Sequence, residues 1–322
     1  MTCYHPFQMF ETGLKTEKGK KLLVLAKGNY AKYYNLKLAE KKLGVKIPLN
    51  PNYVYIDRTG EYLYKYVEAA CGTCLGCRID KSNEWANRCL MEAKTSKQTP
   101  WFITLTYESA PKELQKRDLQ LFFKRLRNKY GEGIRYFACG EYGGKTLRPH
   151  YHAIIFNWKP EDLKPITEKF YKSDELTRIW GMGYTTIREA DKTTMAYTAR
   201  YASKKMLMKL PEGKEKPFLL MSRRPGIGSE YMKTNQKTTE RTGRIYIKSE
   251  DKVIQTLPRY AKKLMEESNP ERLEEIKKEG QVITNEKRQA LISKWQTKSI
   301  DEIGFKETEL AKANLERKKK IE

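Results

Sequence analysis

Between Trp101 and Met208 the chain changes hydrophobic period several times, and each change marks an element. Trp101-Phe-Ile-Thr-Leu-Thr-Tyr107 is aromatic and β-branched, a strand pattern. Over 114–130, Leu119, Phe122, Phe123 and Leu126 recur at helical spacing on a basic segment, which predicts an amphipathic helix. Strands are predicted at 134–140, 149–156 and 184–189, a short helix at 173–180 and a longer one at 192–208. This βαββαβα order suits an α+β domain, an antiparallel sheet with helices packed on one side.

The flanks read differently. Residues 1–70 are tyrosine-rich and irregular; Tyr53 to Asp57 and Glu61 to Val67 flank Arg58-Thr-Gly60, a hairpin signal. A cysteine knuckle follows, then a helix through 84–94. Four regions result: 1–95, tyrosine-rich with the knuckle; 96–209, the α+β domain; 210–257, a basic extension containing Pro and Gly; and 258–322, a charged helical tail.

Charge changes the picture. The net charge is +24, from 64 basic and 40 acidic residues, and most of the excess lies before the tail, where 16 basic residues face 13 acidic ones. Such a body attracts polyanions, and 21 tyrosines offer stacking surfaces for single-stranded nucleic acid. No apolar run approaches the ~18 residues of a membrane span, so no membrane partner is expected. Met1-Thr-Cys-Tyr-His-Pro-Phe7 lacks the regions of a signal peptide, so a cytoplasmic protein with reduced cysteines is expected.

Two groups of residues then carry chemistry. His150 and His152, two of only three histidines, lie two apart on a strand and so share a face. Gly143 and Gly144 mark a connection that folds this strand back beside 134–140, which brings Glu141 to the pair. One oxygen and two nitrogens with open positions suit Mg²⁺ or Mn²⁺, imidazole favouring Mn²⁺; two hydrogen-bonded core histidines are the plain alternative. Tyr197 and Tyr201 lie one helical turn apart, with Lys204 on the same face. Arg148, Arg200 and Lys205 are candidates for contacting DNA. Cys71, Cys74 and Cys77 supply three thiolates in seven residues, and Cys3 or His5 is a candidate fourth ligand for a structural zinc. Free thiols and an iron–sulfur site are the alternatives, although the ferredoxin spacing is incomplete. Cys89 and Cys139 read as small core residues.

Taken in order, Phe102-Ile-Thr-Leu-Thr-Tyr107, Arg148-Pro-His-Tyr-His152 and Tyr197-x3-Tyr201-x2-Lys204 resemble the three motifs of HUH endonucleases, the initiators of rolling-circle replication. Cys71-Gly-Thr-Cys-Leu-Gly-Cys-Arg78, Gly140-Glu-Tyr-Gly143 and Ser222-Arg-Arg-Pro-Gly-Ile-Gly228 look like the gokushovirus branch of the microviruses. The resemblance covers roughly 1–235, with Tyr151 departing from the bulky apolar residue usual between the histidines. It implies a ferredoxin- or RRM-like HUH fold with an N-terminal Cys-rich element and a helical tail. It further implies a metal at Glu141, His150 and His152, and attack by Tyr197 or Tyr201 on origin DNA. The products would be a 5′-phosphotyrosine link and a 3′-OH primer, with later rejoining. Host polymerase and, since no Walker motif is present, a host helicase or supercoiled origin are implied partners, in the cytoplasm of a bacterial host. A relaxase or transposase of like chemistry, and a non-catalytic zinc protein that binds nucleic acid, are the competing functions.

Overall fold

A computed structural model describes residues 3, 5–15, 21–25, 33–35, 41, 44, 54–56, 62–143, 146–204, 214–248, 253–297 and 300–321. The chain forms two compact units, 1–77 with 289–322 and 78–288. In the first, β1 (Phe7–Lys15), β2 (Lys21–Leu25), β3 (Tyr33–Asn35), β4 (Val54–Ile56) and β5 (Tyr62–Ala69) make an antiparallel sheet ordered β2–β1–β5–β3, with β4 also paired to β5. Ile56 pairs with Tyr62, so β4 and β5 are the arms of the hairpin signalled around Thr59, a turn that lies outside the described residues.

Helix α1 (Leu75–Thr95) leads into the second unit. It starts well before the segment 84–94 expected from sequence, because the last cysteine of the knuckle already belongs to its first turn. Then come β6 (Trp101–Tyr107), α2 (Lys116–Tyr130), β7 (Arg135–Tyr142), β8 (Pro149–Phe156), β9 (Lys164–Pro165), β10 (Tyr171–Lys172), α3 (Asp174–Trp180), β11 (Gly183–Glu189), α4 (Lys192–Lys204) and β12 (Phe218–Met221). All seven strands join one antiparallel sheet, β12–β7–β8–β6–β11–β10–β9. Beyond it lie α5 (Ser229–Thr234), α6 (Gln236–Thr242), the hairpin β13 (Ile245–Lys248) and β14 (Val253–Thr256), and α7 (Arg259–Ser268). Helices α8 (Pro270–Trp295) and α9 (Ile300–Ile321) close the chain.

Alternation along the strands sorts side chains onto two faces. Ile103, Leu105, Ala138, Tyr151, Ala153, Ile155 and Ile187 point to one, where Leu119, Phe122, Phe123 and Leu126 of α2 and Leu176 and Trp180 of α3 cover them. These side chains are almost fully buried. At roughly 1.5–3 kcal/mol for each buried Leu or Phe, packing rather than intrinsic propensity holds the otherwise polar α2. Ser173 caps α3 by accepting from the Leu176 N–H at 2.9 Å, worth about 1 kcal/mol.

The opposite face is covered as well. Phe102, Phe137, Ile154 and Phe156 pack against Ala86 and Cys89 of α1, Met195 and Ala199 of α4, and Ile227. The α+β class holds, but the expectation of helices on one side is corrected: α2 and α3 take one face, α1 and α4 the other. Central β8 has apolar residues on both faces beyond the histidines, so a second helical layer is needed to bury Ile154 and Phe156. The segment Ser222–Gly228 is tied to α1, where the buried Glu92 carboxylate accepts from Gly228 N–H at 2.6 Å and pairs with Arg135, and Arg88 Nε donates to the Ile227 carbonyl at 2.9 Å. Among the described residues no helix is long and apolar enough to cross a membrane.

Candidate metal centre and nucleophile helix

Strand register assembles the first cluster. Glu141 of β7 pairs with His150 of β8, and His152 pairs with Cys139 on one side and Thr104 of β6 on the other. The β7–β8 connection is closed by Gly143 N–H donating to the Arg148 carbonyl and Leu147 N–H donating to that of Gly143, both at 3.0 Å. Arg148 donates to the carbonyls of Tyr107 and Glu108, so its guanidinium fastens the end of β6 to the start of the histidine strand.

Glu141 Oε1 lies 2.9 Å from His150 Nε2 and 3.0 Å from His152 Nε2. His150 Nδ1 is 3.1 Å from the Arg148 carbonyl, and His152 Nδ1 is 3.0 Å from Thr104 Oγ1. A carbonyl only accepts, so His150 carries its proton on Nδ1. In the neutral ring Nε2 then turns a lone pair toward a carboxylate that also offers only lone pairs. Such a contact calls for a proton or a cation between the two. The donor set fits a cation: three ligand atoms within 4.8 Å of one another, with each imidazole oriented through its other nitrogen. Burial works to raise the Glu141 pKa, yet the hydrogen bonds from His150 and His152 outweigh it and hold the carboxyl below its ordinary range. Phe102 stacks on the His152 ring at 5.4 Å and fixes its plane.

Helix α4 runs over β7, β8 and β12 on this same face. Asp191 and Thr194 cap it reciprocally, Thr194 N–H donating to Asp191 Oδ1 at 2.7 Å and Asp191 N–H to Thr194 Oγ1 at 2.8 Å. Met195 and Ala199 face the core and set the rotation of the helix. Tyr197 meets the cluster edge-on, its ring 5.5 Å from that of His152 and 6.2 Å from that of Phe102. The Arg200 guanidinium lies 6.0 Å from the Tyr197 ring. Tyr201 and Lys204 follow on α4, but their side chains, like the whole of Lys205, lie outside the described residues.

Relatives share this core. The family model of the replication-associated protein ORF2 matches residues 100–206, which span β6 through α4. The replication-associated protein ORF2 of Spiroplasma virus 4 is 32% identical over 298 residues, 83% of this chain and 81% of that protein. The chain belongs to this replication-associated protein family. The replication-associated protein VP4 of Bdellovibrio phage phiMH2K is 29% identical over 223 residues, 63% of this chain and 69% of its own. The replication-associated protein ORF4 of Chlamydia phage 1 is 34% identical over 154 residues, 43% of this chain and 38% of its own. No solved structure matches. The resemblance to phage replication initiators read from the motifs is borne out.

A second cluster distinguishes this replication-associated protein. The sulfurs of Cys3, Cys71, Cys74 and Cys77 all lie within 4.8 Å of one another. Of the two candidates for the fourth position, Cys3 is in the group, while His5 is exposed and outside it. Gly72 at φ +73° turns the knuckle. Backbone N–H groups then point at sulfur: Cys74 N to Cys71 Sγ at 3.2 Å, Cys71 N to Cys3 Sγ at 3.3 Å and Cys77 N to Cys74 Sγ at 3.4 Å. Burial opposes the Cys71 thiolate, but the N–H groups of Cys74 and Thr73 prevail and bring its pKa down to about 6. Burial pushes Cys3 up to about 11 and Cys77 higher still. Four thiolates gathered here therefore require a cation. Separations of 3.9 Å for Cys71–Cys77 and Cys3–Cys74 approach the roughly 3.8 Å edge of a tetrahedron built on Zn–S distances near 2.3 Å.

Sequence reasoning assigned no role to Thr104 or Phe102, which orient His152 from the neighbouring strand. Alternation along Phe102-Ile-Thr-Leu-Thr-Tyr107 already places Phe102, Thr104 and Thr106 on one face, and that signal was available.

Proposed function

We propose that this protein initiates rolling-circle replication by nicking single-stranded origin DNA through tyrosine attack, with residues 96–209 as the nicking domain. The observation that carries the proposal is the edge-on approach of Tyr197 to His152, beside Glu141 and His150. Glu141, His150 and His152 would hold Mg²⁺ or Mn²⁺, which supplies Lewis-acid charge to a scissile phosphate when bound. The Tyr197 or Tyr201 oxygen attacks phosphorus, its proton is lost, the P–O3′ bond breaks and the departing 3′ oxygen takes up a proton. One phosphodiester replaces another, so the strand's bond energy is kept and a 3′-OH can later reverse the step without a nucleotide cofactor. A phenol of pKa near 10 is a poor nucleophile until its proton is lost; Lys204 and Arg200 supply positive charge along the helix that carries it. Arg148, engaged with two backbone carbonyls, acts chiefly to position the histidine strand, and Lys205 adds charge to the DNA path. Two tyrosines one turn apart allow a second cleavage before the first 5′ end is released.

The same proposal gives the four cysteines a structural Zn²⁺, and gives the initiator a supercoiled or single-stranded origin, host polymerase and a host helicase as partners in the bacterial cytoplasm. The test incubates the protein with a pool of single-stranded DNA covering its own genome's intergenic regions, with Mn²⁺ or Mg²⁺. A metal-dependent covalent adduct on a denaturing gel, lost in the double variant Tyr197→Phe/Tyr201→Phe, is the expected result. Loss in one single variant assigns one nucleophile. Tight binding with no adduct under any metal would sink the nickase in favour of a non-catalytic DNA-binding protein.

A further inference from the structure

The register that builds the metal cluster continues across the sheet. Glu141 pairs with His150, His150 with Thr106, and Thr106 with Tyr184, so these four side chains form one row on one face. The next row is Cys139, His152, Thr104 and Thr186, and in the third Arg188 pairs with Phe102. Helix α4 covers β7, β8 and β12, and the part of this face over β6 and β11 is open. Thr104, Thr106 and Thr186 are partly exposed there, and Tyr184 is 62% exposed.

A single exposed aromatic ordinarily calls for no explanation. Three features set Tyr184 apart. It stands two strands from His150, about 10 Å at the usual strand spacing. Its backbone is fixed by Gly183, where a Cβ would fall 2.3 Å from Glu108 N and 2.4 Å from Thr106 O, so only glycine lets β11 start flush on β6. The ring also has basic and aromatic company: Arg188, paired with Asp191 at 3.4 Å, holds its guanidinium 5.6 Å from the ring of Phe170, itself 37% exposed. One long hydrogen bond, 3.4 Å from the Tyr184 hydroxyl to Glu108 Oε1, steadies the ring edge.

We infer that the open strip beside the metal cluster is a seat for single-stranded DNA, with Tyr184 as the platform on which a base flanking the scissile phosphate stacks. Charge favours this occupant, since the chain carries +24 and Arg188 lies on the strip. Continuity favours it too, because the strip shares its rows with the proposed nicking residues and rests on that reading for its location. Threonine hydroxyls at 104, 106 and 186 line a sequence-tolerant path, and stacking needs only a π-face.

The test uses the full chain carrying Tyr197→Phe and Tyr201→Phe, so that no covalent bond forms and binding is read independently of nicking. Fluorescence anisotropy compares a labelled oligothymidine with an abasic oligonucleotide of equal length and charge. Tyr184→Ala should weaken oligothymidine binding about tenfold, the scale of one lost base–aromatic stack, and leave abasic binding unchanged. Tyr184→Phe should retain binding within about twofold, since the ring and not the hydroxyl holds the base. Unchanged oligothymidine binding in Tyr184→Ala, or an equal loss on both DNAs, would overturn the inference, as would loss in Tyr184→Phe. A nickase that fails in the adduct assay while this stacking signature persists would refute the catalytic reading alone.

Discussion

The two ligand clusters of this protein are built by opposite routes. The sulfur cluster is mostly local: Cys71, Cys74 and Cys77 fall within one knuckle whose own backbone N–H groups orient the sulfurs, and Cys3 alone arrives from a distance. The glutamate–histidine cluster is made by the sheet. Glu141, His150, His152 and the Thr104 that orients His152 come from three strands whose positions are fixed by the apolar core behind them. The first gathers four like donors, which closes a tetrahedral ion to other ligands. The second gathers three unlike donors and leaves positions for substrate. A cluster built locally depends on its ion for its shape, whereas one built by a sheet keeps its shape and depends on its ion only for chemistry.

The largest effect should appear at the sulfur cluster. Structural zinc contributes on the order of 10 kcal/mol to the folding of small metal-built elements. Cys71→Ser, or a strong chelator applied to the wild type, should abolish bound zinc by elemental analysis and open residues 1–77 to limited proteolysis. Cys89→Ala, which alters a fully buried core residue outside the cluster, should keep its zinc. Zinc-free wild-type protein with unchanged protease resistance would break the comparison.

At the other cluster the effect should fall on rate. His152→Gln preserves side-chain bulk beside Phe102 but removes an imidazole ligand. Adduct formation should drop by about 10³-fold, roughly 4 kcal/mol of transition-state stabilisation, while the melting temperature moves little. Parallel losses of stability and adduct would mean that this site, too, is built by its ion.

Legibility in the sequence follows the same divide. The histidine strand, the helix of Leu119 to Leu126 and the tyrosine helix were readable because each carries a local period. The pairing of Glu141 with the histidines was readable because two glycines signalled a tight return. What escaped depends on packing between distant segments. Phe218-Leu-Leu-Met221, an apolar run too short to distinguish strand from helix, becomes edge strand β12 only because β7 offers an unpaired edge. The two-residue strands β9 and β10 exist only as extensions of β11. The second helical layer was hidden because α1 and α4 show their apolar faces through small residues such as Ala86, Cys89 and Ala199. Choosing Cys3 over His5 needed the path of the chain, which spacing near a terminus does not encode.

The smallest effect sharpens the claim that the sheet core holds the histidines from behind. Tyr151 lies between them and points the other way, fully buried. Its hydroxyl is 2.7 Å from that of Tyr107, donates to the Gln115 carbonyl at 3.0 Å and accepts from Gln115 N–H at 3.0 Å. Tyr107 in turn donates to Asp118 at 2.7 Å, and burial with these bonds raises its pKa. This network occupies the place where related initiators are expected to carry an apolar side chain, and it fastens β8 to β6 and the start of α2. Tyr151→Phe keeps the ring but leaves the Gln115 N–H without this acceptor, a cost of about 1–3 kcal/mol. Thermal denaturation should show the melting temperature falling by several degrees, on the usual scale of about 2–4 °C per kcal/mol for a unit this size. Adduct formation below that temperature should change less than about threefold, because the histidines keep their register and their ligand face. A collapse of the adduct with an unshifted melting temperature would instead make the Tyr151 hydroxyl part of the chemistry, and the two faces of β8 could no longer be treated as separate.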